Sequence, residues 1–156
     1  MKQSVKKIYI DTSVAGGYFD KEFSDDSKTF FARVKKGEII IIVSSLLEEE
    51  LVDAPEEVRE LIKNLPAVQV QKAEQTPEAT QLAENYVKEK VVGKTSIADC
   101  LHIAIATLSN ADVLVSWNFK HIVNVERING YNSVNLKYGY KTLDIRTPKE
   151  VLHYEE

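Results

Sequence analysis

A single cysteine, Cys100, leaves no partner for an internal disulfide and rules out a cysteine-rich zinc site, which points to a reducing compartment, the cytoplasm by default. No apolar stretch approaches the roughly eighteen residues of a membrane span. The opening MKQSVKKIYI reaches Asp11 before a signal-length apolar segment forms, so a soluble, unprocessed protein with no membrane partner is expected. Glycine is sparse, and Ala15-Gly16-Gly17 has neither the spacing nor the lysine of a phosphate-binding loop, which leaves a nucleotide-cofactor enzyme poorly supported. Basic charge is not in excess either. Twenty Lys and Arg against twenty-four Asp and Glu give a net charge of −4, which counts against a simple polyanion clamp. It does not count against a nuclease, because cations bound in an acidic cluster reverse the local sign and can hold a phosphate.

What is present is a recurrence of short apolar runs and amphipathic segments, in a length suited to one domain spanning residues 1–156. Ile8-Tyr9-Ile10 reads as a strand ending at Asp11. Asp25 to Lys36 reads as a helix closed by Gly37, and Ile39 to Val43 as a strand covered on both faces. Leu46, Leu47 and Leu51 among Glu48, Glu49 and Glu50 fit a helix, and Pro55 suits the first turn of another running to about Asn64. Val68 to Val70 suggests a short strand, Pro77 begins a helix, and Thr95 or Ser96 caps one that runs to about Leu108. Val113 to Val115 is a further strand, Ile122 to Ile128 gives helical turns before Gly130, and Leu143 to Ile145 reads as the last strand. This order predicts a three-layer α/β domain, a central parallel sheet flanked by helices.

Ligands in such folds meet the loops beyond the strand carboxyl ends, which singles out Asp11-Thr12-Ser13 and Ser116-Trp117-Asn118. Asp11 taken alone also fits a turn or helix cap, and Thr12 and Ser13 fit either capping of the next helix or hydroxyls that position water or phosphate. Asp99 lies on a helix that is apolar nearly all round, so its carboxylate needs a partner; a capping box with Ser96 is the structural explanation. His102, three positions on, reads as a hydrogen-bonded histidine that orients Asp99 or, alternatively, as a metal ligand. Acids that converge in this way tolerate one another when a divalent cation sits between them, and such a cluster can activate water and orient a phosphodiester. Trp117 can stack on a base or pack structurally, and Lys120 can contact a phosphate or stay solvated.

Together, Asp11-Thr12-Ser13, Glu50-Leu51, Asp99 with His102-Ile103-Ala104, and Ser116-Trp117-Asn118-Phe119-Lys120-His121 resemble the PIN-domain ribonuclease family over most of the chain, above all its small prokaryotic members, which include toxins of toxin–antitoxin pairs. The resemblance implies a PIN-like fold and endonucleolytic cleavage of RNA assisted by one or two Mg2+ or Mn2+ ions. It also implies a homodimer and a possible cognate antitoxin. By the family pattern the metal-holding acids are Asp11, Glu50 rather than Glu48 or Glu49, and Asp99. The fourth position falls on Asn118, where relatives carry an acid or asparagine, and His121 stands where many have another acid. A neutral amide orients water or phosphate but adds no charge to offset a second cation. Two other readings share the same residues: a non-catalytic PIN-like module whose acidic face engages a basic partner, and a phosphatase-like hydrolase of small phosphate esters.

Overall fold

The computed structural model describes residues 5–153. Its strands are β1 (Lys6–Ile10), β2 (Ile39–Ser44), β3 (Val70–Ala73), β4 (Val113–Val115) and β5 (Asp144–Arg146). Its helices are α1 (Thr12–Gly17), α2 (Ser24–Lys35), α3 (Ser45–Glu50), α4 (Glu56–Lys63), α5 (Pro77–Lys88), α6 (Ile97–Leu108), α7 (Val125–Lys137) and α8 (Pro148–Leu152). All strand pairs are parallel, in the order β3-β2-β1-β4-β5, with Ile8 opposite Ile41 on one side and Val113 on the other.

The continuous apolar strands follow from burial on both faces. Ile8 and Ile10 join Ile41, Val43, Val113 and Val115 in a core completed by Val14, Phe30, Phe31, Leu47, Val58 and Val151 from the first four helices and α8. Tyr9, Ile42, Leu114 and Ile145 point to the other face, where α5, α6 and α7 supply Leu82, Ile103, Ala106 and Tyr131. This is the expected three-layer architecture. From β1 the chain builds outward to β2 and β3 on one side, and later to β4 and β5 on the other. The carboxyl ends of β1 and β4 therefore flank the point where the winding reverses, the place where open α/β sheets form a crevice.

Several elements differ from the sequence reading. Val68 lies in a 3-10 turn (Ala67–Gln69), and the strand begins only at Val70. Pro55 is the N-cap of α4 rather than part of its first turn. The last strand is displaced by one residue, to Asp144–Arg146, and α8 follows it with a complete Thr147–Glu150 capping box that the sequence reading passed over. Helix α7 starts later than expected and does not stop at Gly130; it runs through it to Lys137. A Cβ there would lie 2.8 Å from Val91 Cγ1, so this glycine serves close packing and not termination. Gly37 does close α2, at φ +82°.

Candidate active site

Asp11 leaves β1 and becomes the N-cap of α1, its Oδ1 accepting from Val14 N–H at 3.3 Å. Two hydroxyls complete its shell: Ser13 Oγ donates to Oδ1 and Ser116 Oγ to Oδ2, both at 2.6 Å. Only 4% of the residue is exposed. Burial pushes its carboxyl pKa up, and the field of His102 with these hydrogen bonds offsets that only in part. Asp11 is thus at once a helix cap and the most deeply buried charge of the cluster. Thr12 and Ser13 do not cap the helix; Thr12 Oγ1 donates to Glu50 Oε1 at 2.6 Å, and Ser13 serves Asp11.

Glu50 ends α3, which is itself capped by Ser44 Oγ accepting from Leu47 N–H. Of the glutamate triplet, Glu48 turns away to pair with Lys72, whereas Glu50 bonds Thr12 and His102, so Glu50 is the member that reaches this site. Its Oε1 also accepts from His102 Nε2–H at 2.6 Å. Burial raises the Glu50 pKa, but the bonds from His102 and Thr12 outweigh it and hold the carboxyl below its ordinary value. His102 is therefore a positioning residue for Glu50, where the sequence spacing suggested Asp99. Its ring is 4% exposed, and Nδ1 lies 2.6 Å from the Tyr9 hydroxyl, which donates to Ser44 Oγ at 2.9 Å. The resulting chain Ser44–Tyr9–His102–Glu50–Thr12 ties β2, β1, α6, α3 and α1 together beneath the site.

Asp99 is half-buried on the first turn of α6. Ser96 occupies the N-cap position of α6 but its side chain makes no cap bond, so the capping-box explanation of Asp99 does not hold. Asp99 Oδ1 instead accepts from Asn118 Nδ2 at 3.2 Å. Burial raises its pKa; His121, His102 and Asn118 oppose the shift and the charge of Glu50 adds to it. Asn118 has a second task, since its Oδ1 accepts from the backbone N–H of Lys120 (3.2 Å) and His121 (3.0 Å) while its own N–H donates to Ser116 Oγ. A continuous path of bonds thus runs Asp11–Ser116–Asn118–Asp99. His121 Nδ1 is a buried atom with no hydrogen-bond partner, the kind that a water or a substrate oxygen satisfies.

Trp117 is 8% exposed, stacked on Phe23 at a centroid distance of 4.4 Å, with Nε1–H donating to Ser27 Oγ at 3.0 Å. It packs structurally and presents no free face for a base. Lys120 is exposed beside the cluster. The sequence reading missed Tyr9 and Ser44, whose polar ends are invisible in an apolar strand pattern, and Ser27, whose only signal is a serine among the buried positions of α2.

The carboxylates of Asp11, Glu50 and Asp99 are hard oxygen donors, which suit Mg2+ or Mn2+ better than zinc, while Asn118 turns its Nδ2 to Asp99 and its Oδ1 to the loop backbone. Among the described residues no three His, Cys, Asp or Glu side chains stand together as a ready-made ligand group. The oxygen donors of the three acids fit a hard cation by chemistry, and burial raises the pKa of both Asp11 and Asp99.

The family profile for the PIN domain matches residues 8–121, a span that contains all these side chains. No curated protein matches the chain. Among solved structures the fold is similar to the sarcin–ricin loop cleaving toxin VapC20 of Mycobacterium tuberculosis, at 16% identity over 72% of this chain and 91% of that one, with a TM-score of 0.55. It is similar to VapBC2 of Rickettsia felis, solved bound to a DNA fragment from its promoter, at 15% identity over 90% of this chain and 98% of that one, TM-score 0.54. Tyrosyl-tRNA synthetase of Aeropyrum pernix matches at 11% identity over 92% of this chain and 52% of the enzyme, TM-score 0.52. At these identities the likeness is one of fold.

Proposed function

Since the chain belongs to the PIN-domain family, we propose that it is a single-domain, divalent-metal-dependent endoribonuclease of the toxin type, with Asp11, Glu50, Asp99 and Asn118 as its working residues. The observation that carries the reading is the hydrogen-bonded network at the reversal point of the sheet, in which Ser116 and Asn118 link Asp11 to Asp99 while Thr12, next to Asp11, and His102 hold Glu50. The fold that the chain shares with a sarcin–ricin loop cleaving toxin and with VapBC2 supports it.

The reaction is hydrolysis: water adds across a P–O bond of RNA, leaving one phosphate end and one hydroxyl end. A bound Mg2+ or Mn2+ supplies electrophilic stabilisation of the phosphoryl oxygens and lowers the cost of generating the nucleophile. The chain's own residues do the rest. Ser13 and Ser116 hold the Asp11 carboxylate fixed, so that it need not reorganise when charge develops nearby. His102 and Thr12 keep Glu50 ionised and both bonds fall on Oε1. Asn118 orients Asp99 and pins the loop that carries Lys120, an exposed cation for a substrate phosphate. A cognate antitoxin that covers the acidic crevice, a homodimer and a cytoplasmic setting complete the proposal; no helix among the described residues is long and apolar enough to cross a membrane.

The test is incubation of purified protein with structured and single-stranded RNA under Mg2+, Mn2+ or chelator. Metal-dependent internal cleavage, lost in folded Asp11→Asn and Asp99→Asn, is the expected result. Intact RNA under every metal condition, or full activity in both variants, overturns it.

A further inference from the structure

Resting on the ribonuclease reading, we propose that Phe119 is the stacking platform for a nucleobase of single-stranded RNA next to the scissile bond. The ring is 51% exposed, an unfavourable state for a large apolar side chain on a domain with two full cores. The turn that carries it is also braced before any ligand arrives. Asn118 Oδ1 takes the N–H groups of Lys120 and His121, and Asn118 O takes those of Ile122 (3.2 Å) and Val123 (2.9 Å), so the turn carrying Phe119 is braced from the residue before it. Behind the ring stand Phe23 and Trp117, at centroid distances of 6.2 and 6.3 Å and tilted by 38° and 46°. Those two rings stack on each other at 15°, and Ser27 anchors the indole. An exposed aromatic with this backing pays little ordering entropy on stacking.

Position decides the ligand. Phe119 directly follows Asn118, which bonds Asp99, so the ring is carried by the turn that borders the proposed site. Its other neighbour, Lys120, is an exposed cation suited to the backbone phosphate of the same strand. An exposed ring flanked by an amide and a cation matches a base with its phosphate, and single-stranded nucleic acid is bound in just this way, by aromatic faces beside positive charge. A protein contact would call for a broader apolar surface than one ring between polar neighbours. Trp117, the more obvious aromatic in the sequence, is excluded because its polar edge and one face are already engaged.

The experiment measures the affinity of a labelled, 2′-O-methyl single-stranded RNA by fluorescence anisotropy in Mg2+, for wild type, Phe119→Ala, Phe119→Leu, Phe119→Trp and the remote surface variant Leu136→Ala. Alanine and leucine should each weaken binding by roughly 5- to 150-fold, the range of one lost base stack. Tryptophan should match or exceed wild type, and Leu136→Ala should leave affinity unchanged. A scan of abasic sites supplies a readout that a purely structural role would not move: one abasic position should weaken wild type but leave Phe119→Leu almost unaffected. Equal RNA affinity for wild type and Phe119→Leu, with cleavage intact, overturns the platform while the ribonuclease reading survives, and returns the exposed ring to a protein contact. Wild type that neither binds nor cleaves RNA overturns both.

Discussion

The bond between His102 and Glu50 makes a measurable demand on stability. Histidine at this position is almost fully enclosed, and its Nε2–H meets a carboxylate oxygen at 2.6 Å. A hydrogen bond to a charged group contributes about 1.5–3 kcal/mol, and deleting a buried ring adds a packing loss of about 1–2 kcal/mol. His102→Ala should therefore cost about 3–5 kcal/mol in metal-free protein. At roughly 2–4 °C per kcal/mol for a chain of this size, Tm should fall by about 6–20 °C. Glu50→Ala should cost about 1–3 kcal/mol, mainly by leaving Nε2–H buried without a partner, whereas Glu50→Gln keeps an acceptor there and should cost less than either. The assay is urea unfolding of wild type, both alanine variants and the double variant with chelator present, closed as a double-mutant cycle. A coupling of about 1.5–3 kcal/mol is expected. Coupling below about 0.5 kcal/mol would show that the two side chains do not act as a unit, and the assignment of His102 as the residue that positions Glu50 would fall.

Burial raises the Asp11 carboxyl above its unfolded value, so the folded state binds that proton more tightly and the stability Asp11 contributes falls as pH rises through the interval between the two values. Metal-free Asp11→Asn should accordingly be more stable than wild type at pH 7, with the difference shrinking on acidification into that interval; thermal melts from pH 7 to 4 check it, and a difference that grows towards acid refutes it. Gly17 faces the indole so closely that an added Cβ would meet Trp117 Cδ1 at 2.7 Å and Ser27 Oγ at 2.9 Å. Gly17→Ala should lose about 1–3 kcal/mol and shift the emission of the sole tryptophan, and an unchanged melt with unchanged emission would refute the packing. Asn118→Asp sets a carboxylate where an amide now donates to Asp99 at 3.2 Å. Like charges at about 4 Å repel by about 1–4 kcal/mol between water and an effective dielectric of 20, so the metal-free variant should melt lower and gain more from Mg2+ or Mn2+ than wild type; an equal gain in calorimetry and melting would place residue 118 outside the charge cluster.

The layers were legible because strands buried on both faces leave uninterrupted apolar runs, as in Ile39 to Val43, and because Thr76-Pro77 marks a helix start by local chemistry alone. Helix α1 was not, since Gly16 and Gly17 argue against a helix on propensity; Asp11 as cap and the indole that only glycine admits override it. Gly130 misled for the same reason, its close neighbour Val91 lying far away in sequence. The acids themselves were proposed from strand ends and family pattern, without the bonding partner of each. His102 is three residues from Asp99 and 52 from Glu50, and the nearer spacing on one helix face pointed to the wrong carboxylate.

The reason lies in how this site is built. Local spacing sets which side chains share a helix face, but the order of strands sets which helices meet. Glu50 closes the helix that follows β2, His102 sits on the helix that leads into β4, and β1 lies between them, contributing Tyr9 from one face and Asp11 from its end. Each proposed metal-holding acid is consequently restrained by a residue from a different part of the chain: Asp11 by Ser116, Glu50 by His102, Asp99 by Asn118. The bonds Asp11–Ser116 and Glu50–His102 join residues 105 and 52 positions apart, so both depend on the assembled sheet. The three acids, each restrained by its own partner, thus sit in a framework stabilised by two apolar cores.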